Sequence, residues 1–220
     1  MTNNKIKILN LYAGIGGNRK HWDKLSPNIE VTAVELRENI AKVYKDYFPN
    51  DKVVVGDAHQ YLEKHVQEFD IIWSSPPCPS HSIMRKNVCV GSGQSDPVFP
   101  NMTLYEEILF LQGYFDGVYV VENVKSWYNP LIEPQVEQRH YYWANFQLPS
   151  LSKDKDNISR GTIKEWEDLF GYDLSSYKFD SSYPKRKVLR NCVRPKHGYK
   201  ILVEAIKKLN EIRGDSKHDE

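Results

Sequence analysis

A nucleophile and an acid stand at matching points of this chain, each directly after an apolar run. Cys78 follows Asp70-Ile71-Ile72-Trp73-Ser74-Ser75-Pro76-Pro77, and Glu122 follows Gly117-Val118-Tyr119-Val120-Val121. The run from Phe69 to Trp73 is continuous rather than alternating, the pattern of a short strand buried on both faces. Pro76 and Pro77 fix two φ angles and cannot continue a central strand, so Cys78 is presented on a stiff turn past a strand's carboxyl end. In an open α/β sheet that is where ligands bind. A thiolate there is a strong nucleophile if its pKa is lowered and substrate can reach it; the competing role is a buried structural cysteine in a proline turn. An acid directly after a buried strand is costly to bury without a partner or a task. With a raised pKa, Glu122 could donate a proton to a ring nitrogen at neutral pH; its plainer role is to cap the segment that follows.

The segments before Cys78 must position these groups. Lys5-Ile6-Lys7-Ile8-Leu9-Asn10-Leu11 has the content of a first strand and runs into Tyr12-Ala13-Gly14-Ile15-Gly16-Gly17, followed by a helix-compatible run from Asn18 to Leu25. Glycines between a strand and a helix let the backbone approach a ligand closely, or simply turn the chain. Their spacing is not that of the dinucleotide fingerprint, so no pyrophosphate is expected. A second strand, Ile29 to Val34, ends at Glu35, about 20 residues after the glycines, where nucleotide-binding folds place a partner for ribose hydroxyls. The bland role is a solvated charge opening a helix from Arg37 to Tyr47. A third strand, Lys52 to Val55, ends in Gly56-Asp57-Ala58-His59. Asp57 could accept from an adenine amine or cap the next helix. Three strands with such ends, separated by helical segments, give the βαβαβ rhythm of a parallel sheet.

Downstream, His81 to Pro100 reads as a long polar loop carrying Arg85, Lys86 and Gly91-Ser92-Gly93, and hence as a mobile lid over the nucleophile. Met102 to Phe115 reads as a helix, Gly117 to Val121 as a doubly buried strand, and the aromatic-rich Arg139 to Phe146 as a late antiparallel edge. From Gln147 to Lys187 the composition turns charged and polar, with a short helix over Thr162 to Phe170. The cluster Lys185-Arg186-Lys187-Arg190 suits a phosphate contact or a solvated face. Tyr199 to Ile212 closes the chain as an amphipathic helix before a charged tail.

With 220 residues, the chain suits one well-buried domain with a small appendage. A net charge of +1 gives no global basic field, so any nucleic acid is held by a local patch. Three cysteines, Cys78, Cys89 and Cys192, argue against a disulfide framework and for a reducing compartment. The first residues lack an apolar signal core and no stretch approaches membrane-spanning length, so the expectation is a soluble cytoplasmic protein away from membranes.

Taken together, these strand ends resemble the DNA (cytosine-5) methyltransferase family. Tyr12-Ala13-Gly14-Ile15-Gly16-Gly17 is similar to its first motif, with Tyr where Phe is usual, and Glu35 and Gly56-Asp57 match its ribose- and adenine-binding acids. Pro76-Pro77-Cys78 matches the nucleophile motif, although Pro79 replaces the customary Gln, and Glu122-Asn123-Val124 matches the Glu-Asn-Val motif. Arg139 falls where a Gln-x-Arg-x-Arg motif is expected, with Glu137 and Tyr141 at flanking positions. Asn191-Cys192-Val193-Arg194-Pro195 looks like a degraded last motif. The resemblance runs from Leu9 to Pro195 in the family's motif order. It implies a Rossmann-like S-adenosylmethionine-dependent methyltransferase fold: a mostly parallel sheet, helices on both faces and a late antiparallel hairpin. It divides the chain into a catalytic core (1–146), a small insert in place of a target-recognition domain (147–187), a closing part of the core (188–213) and a flexible tail (214–220), a short form of the family.

The chemistry it implies is methyl transfer from S-adenosyl-L-methionine to C5 of cytosine in DNA. Cys78 adds to C6, Glu122 stabilises protonation at N3, and Arg139 holds the O2 oxygen. The donor site would comprise Tyr12, Ala13, Gly14, Gly16, Gly17, Glu35, Leu36, Asp57, Ala58, Pro76, Asn191 and Val193. Ser82, Arg85, Lys86, Lys185 and Arg186 would touch nucleic acid, and no metal is required. The short insert leaves RNA, single-stranded DNA or a target presented by a protein partner open, as well as a non-catalytic regulator. Two rival chemistries explain less. A zinc site from Cys78, His81, Cys89 and Cys192 or His197 has no recognisable ligand spacing. A hydrolase pairing Cys78 with His81 leaves the glycine turn and Glu35 without a role.

Overall fold

A computed structural model describes residues 5–25, 28–93, 96–151 and 161–215. Seven strands form one sheet: β1 (Ile6–Leu11), β2 (Ile29–Glu35), β3 (Lys52–Val55), β4 (Ile71–Ser74), β5 (Val118–Val124), β6 (Gln135–Glu137) and β7 (His140–Ala144), in the order β3-β2-β1-β4-β5-β7-β6. The five first strands run parallel, whereas β7 is antiparallel to both β5 and β6. The helices are α1 (Glu38–Tyr47), α2 (Ala58–His65), α3 (Ile83–Ser92), α4 (Thr103–Tyr114), α5 (Ile163–Phe170), α6 (Lys185–Arg190) and α7 (Pro195–Asp215).

Side-chain alternation divides the central strands between two apolar layers. Ile71 and Trp73 of β4 join Ile8, Val118 and Val120 beneath α7, where Ile201, Leu202, Ala205 and Leu209 cover them. Ile72 points the other way, with Leu9, Leu11 and Val121, under Leu62 of α2 and Leu104, Ile108 and Leu111 of α4. Both faces are therefore covered, which is why β4 and β5 read as unbroken apolar runs. Connectivity reverses at β1, which has β2 on one side and β4 on the other. The crevice at the carboxyl tips of β1 and β4 is thus the switch point where such sheets bind ligands.

Two segments differ from the sequence reading. The expected loop from His81 to Pro100 contains α3, whose Ser82 cap accepts from the Met84 N–H at 3.2 Å and whose end is set by left-handed Gly93. No residue of α3 is buried, so its sequence shows no apolar stripe for periodicity to detect. In the interval 147–187, residues 152–160 lie outside the described residues, as do 216–220 of the expected tail. The described remainder packs onto the body: Trp166, Phe170, Tyr172 and Leu174 share one buried cluster with Ile15, Ile40 and Val43, and Tyr172 Oη donates to the Ile15 carbonyl at 2.8 Å. This part of the interval is continuous with the core and buttresses the glycine turn.

A buried ion pair ties the segment after the glycines to the turn before β3. Arg19 Nε and Nη2 each donate to Asp51 at 2.9 Å, Tyr44 Oη donates to the same carboxylate at 2.8 Å, and the guanidinium lies over Phe48. Removing one member of a buried pair strands the other. Arg19→Met should lower unfolding free energy by about 3–5 kcal/mol, measured by urea denaturation. A loss below about 1 kcal/mol, the range of surface pairs, would contradict this account.

Candidate active site

The glycine turn is shaped by packing at two positions and by open space at a third. A Cβ on Gly16 would sit 2.3 Å from the Phe48 ring, and one on Gly17 would sit 2.5 Å from the Val193 carbonyl. Gly17 thereby admits the Asn191–Val193 segment from the far end of the chain against the turn. Gly14, with φ +56°, has nothing within 4 Å of such an atom and faces clear space. Ala13 is held by its N–H donating to the Val34 carbonyl at 3.0 Å, and Tyr12 also takes a positive φ of 55°. Glu35, at the tip of β2, accepts from the Gly14 N–H at 3.0 Å and from the Arg37 N–H at 2.9 Å. Burial raises this carboxyl above its ordinary range, and those N–H groups pull it back. Beside it, exposed Leu36 lines a groove of about 450 Å³ with Arg37, Glu38, Asn39 and Asp180. Asp57 caps α2 through the Gln60 N–H at 2.9 Å, and Ala58 is buried behind it.

The nucleophile loop is stapled to the tip of β5. Asn123 Nδ2 donates to the Pro76 carbonyl at 3.0 Å in a buried contact. The Cys78 carbonyl accepts from the N–H groups of His81 and Ser82, and His81 Nδ1 lies 2.6 Å from Tyr128 Oη. These bonds join the turn bearing Cys78 to the strand bearing Glu122 at both ends. Burial pushes the Cys78 thiol up to about 11, and the Glu122 carboxylate adds to the rise, while Lys187 and Arg190 act in the opposite direction. The Glu122 charge thus acts on the Cys78 thiol, and the Asn123–Pro76 bond ties together the two segments that carry them. Glu122 is 8% exposed, and His140 Nε2 approaches its Oε1 at 3.4 Å.

Other named residues fall differently. Arg139 sits exposed in the β6–β7 turn, bound through its carbonyl to the Lys125 N–H, and the side chain against Glu122 is that of His140. Only the hairpin register reveals this: Glu122 pairs with Tyr142, which makes His140 its diagonal neighbour. Arg85 donates to the Asp96 carbonyl and Lys86 lies over Trp127. Lys185 faces Glu167 at 3.9 Å and Arg186 covers the Trp166 ring, so α6 turns these two away. Its other cations, Lys187 and Arg190, bear on Cys78, and Arg190 Nη2 reaches Met84 Sδ of α3 at 3.8 Å. Asn191 donates to Tyr183 Oη at 2.7 Å, a ring flanked by Arg37 and Lys187. Among the described residues no three His, Cys, Asp or Glu side chains converge as metal ligands.

A parallel sheet with a glycine turn at its switch point, acids at the next two tips and an antiparallel β7 beside β5 defines a Rossmann-like methyltransferase domain. The chain belongs to the C-5 cytosine-specific DNA methylase family, whose sequence profile matches residues 6–136. It is 26% identical over 121 residues to the Type II methyltransferase M.Bsp6I of Bacillus sp. (strain RFL6), covering 55% of this chain and 36% of that protein. It is 30% identical over 131 residues to a tRNA (cytosine(38)-C(5))-methyltransferase of Spodoptera frugiperda, covering 57% and 37%. The chain thus spans little more than a third of either relative. A solved Spodoptera frugiperda DNMT2 structure overlays 69% of this chain and 54% of its own, with 22% identity and a TM-score of 0.43. The family's methyl donor is S-adenosylmethionine. The residues present fit it: open space at Gly14, a half-buried carboxylate at the β2 tip and a groove beyond Leu36 suit an adenosyl group with a charged tail.

Because the Glu122 charge opposes thiolate formation, Glu122→Gln should lower the Cys78 pKa. Its alkylation by iodoacetamide at pH 8, read site by site by mass spectrometry, should then rise several-fold. An unchanged or slower rate would show that the two groups do not share a hollow.

Proposed function

We propose that this chain transfers a methyl group from S-adenosylmethionine to C5 of a cytosine in DNA, through a covalent bond between Cys78 and C6 of the ring. The observation that carries this reading is the buried hydrogen bond from Asn123 Nδ2 to the Pro76 carbonyl, which ties the turn bearing Cys78 to the strand bearing Glu122 in a chain of the cytosine methylase family. Two anions side by side in a desolvated hollow are costly. If the proton leaving the thiol is balanced by one held at Glu122, the pair carries a single negative charge throughout. That charge sits on sulfur, where nucleophilic attack needs it. As sulfur bonds to C6, the proton at Glu122 is shared with N3, so the ring's electrons move toward C5 rather than building charge on nitrogen. The bound S-adenosylmethionine supplies the methyl group to C5. Loss of the C5 proton and breaking of the S–C6 bond restore the aromatic ring and the cysteine.

His140, against Glu122, orients that carboxyl, and Arg139 beside it would reach the O2 oxygen once substrate enters. A base stacked in a duplex cannot reach a hollow at the strand tips, so the target nucleotide is extruded or arrives single-stranded. Ser82 at the start of α3, Arg85 and Lys86 on it, and Lys187 and Arg190 of α6 would meet its phosphates. The 30% identity to a protein named as a tRNA methyltransferase favours a second reading, in which the cytosine lies in RNA. A net charge of +1 supports capture by a local patch or with a protein partner's help.

The test is methyl transfer from labelled donor to duplex DNA, single-stranded DNA and transfer RNA, followed by nucleoside analysis. Cys78→Ala should reduce transfer by at least about 10³-fold while leaving donor affinity within about twofold, since the thiol is not a donor contact. Persistent transfer by that variant would end the covalent mechanism. A wild-type chain that binds donor but methylates none of the three would make it a binding module.

A further inference from the structure

One fully buried carboxylate takes no part in the mechanism above. Glu107, on α4, is 0% exposed and lies behind the donor crevice. Three side chains converge on it. Tyr12 Oη donates to Oε1 at 2.5 Å, Ser74 Oγ donates to Oε2 at 2.6 Å, and His59 Nδ1 lies 3.2 Å from Oε1. Each comes from a different segment bordering the crevice. Tyr12 opens the glycine turn, Ser74 ends β4 just before Ser75-Pro76, and His59 follows Asp57 and Ala58 at the start of α2. The half-exposed His59 also stands 3.8 Å from Glu106, and Asp57 is the other acid near Tyr12.

We propose that Glu107 is a positioning residue for the methyl-donor site, a single post to which three of the crevice's walls are pinned from behind. The inference rests on the donor site described above and adds a residue that the family's short motifs, as read in this sequence, do not include. The route from post to site runs through Tyr12. This residue holds a left-handed φ of 55°, a conformation that is strained for a non-glycine residue and persists only where surroundings enforce it. The bond to Glu107 supplies that enforcement at the ring's far end. Two residues on, the Gly14 N–H donates to Glu35 at 3.0 Å, so the twist at Tyr12 sets the backbone that aims the β2 carboxylate. Releasing Tyr12 lets the turn relax and misaligns Gly14 and Glu35 together. Ser74 and His59 fix the positions of β4 and α2 relative to that turn in the same way.

Tyr12→Phe removes one bond and keeps the ring. Glu107→Gln keeps the shape of the post but cannot accept from all three donors at once. Each should weaken binding of S-adenosylmethionine about 5- to 10-fold by isothermal titration, the size expected when a buried partner is left unpaired. For Glu107→Gln, turnover at saturating donor should change less than about twofold, the signature of lost ground-state donor binding. Because the Tyr12 bond is one of those that Glu107→Gln alters, the double variant should lose less affinity than the product of the two single losses. Asn145→Ala, which frees the start of β5 at the opposite end of the sheet, serves as the stability control: it should lower thermal stability and leave donor affinity unchanged. Folded single variants with wild-type donor affinity, or a double variant whose losses multiply, would overturn the assignment while leaving the proposed reaction intact. A wild-type chain that fails to bind S-adenosylmethionine would overturn the donor-site reading and this inference with it.

Discussion

A negative charge on Glu122 raises the cost of a negative charge on Cys78, and a buried bond from Asn123 to the Pro76 carbonyl keeps the segments that carry them together. That mutual opposition is the constraint on which the site depends. It arises because β4 and β5 are adjacent parallel strands, with Ser74 at the end of β4 level with Val121, one residue before Glu122. The Asn123–Pro76 and His81–Tyr128 bonds then pin the turn after β4. A thiol kept protonated at rest is protected from adventitious oxidation and alkylation. In the proposed reaction it would become a nucleophile only once the target base is bound.

The donor side obeys a different physics. There the chain must come close to a ligand, and it does so with backbone rather than charge. Gly14 faces open space, whereas Gly16 and Gly17 are glycines because Phe48 and the Val193 carbonyl leave no room for a side chain. Burying Trp166, Phe170 and Tyr172 against Ile15 braces the outer side of the turn, and the Arg19–Asp51 pair braces its exit. The electrostatic half of the site is therefore built at β4 and β5 and the steric half at β1 and β2, with the switch point between them.

The parallel core, the glycine turn and the adjacency of the strands that precede Cys78 and carry Glu122 were legible in the sequence, because doubly buried strands write continuous apolar runs. Four features were not. Helix α3 buries nothing, so no periodicity marks it. His140 reaches Glu122 by cross-strand register, a relation that no linear spacing records. Among the four cations around α6, the helix turn sends Lys185 and Arg186 to Glu167 and Trp166 and leaves Lys187 and Arg190 toward Cys78. A charge run read as a string does not show that division. Glu107 escaped for a related reason: an acid inside an amphipathic helix looks solvated until the neighbours that converge on it are known.

The central claim, a bond between the Cys78 sulfur and C6 of a cytosine, is most directly tested with an oligonucleotide in which C5 of the target base carries fluorine. Fluorine cannot leave as a proton does, so the sulfur–carbon bond formed on addition persists after methyl transfer. Incubation with donor should give a denaturation-resistant complex whose mass equals protein plus methylated oligonucleotide, with the modified peptide containing Cys78. The absence of such a complex under conditions where the unmodified oligonucleotide is methylated, or a complex mapped to Cys89 or Cys192, would contradict the account.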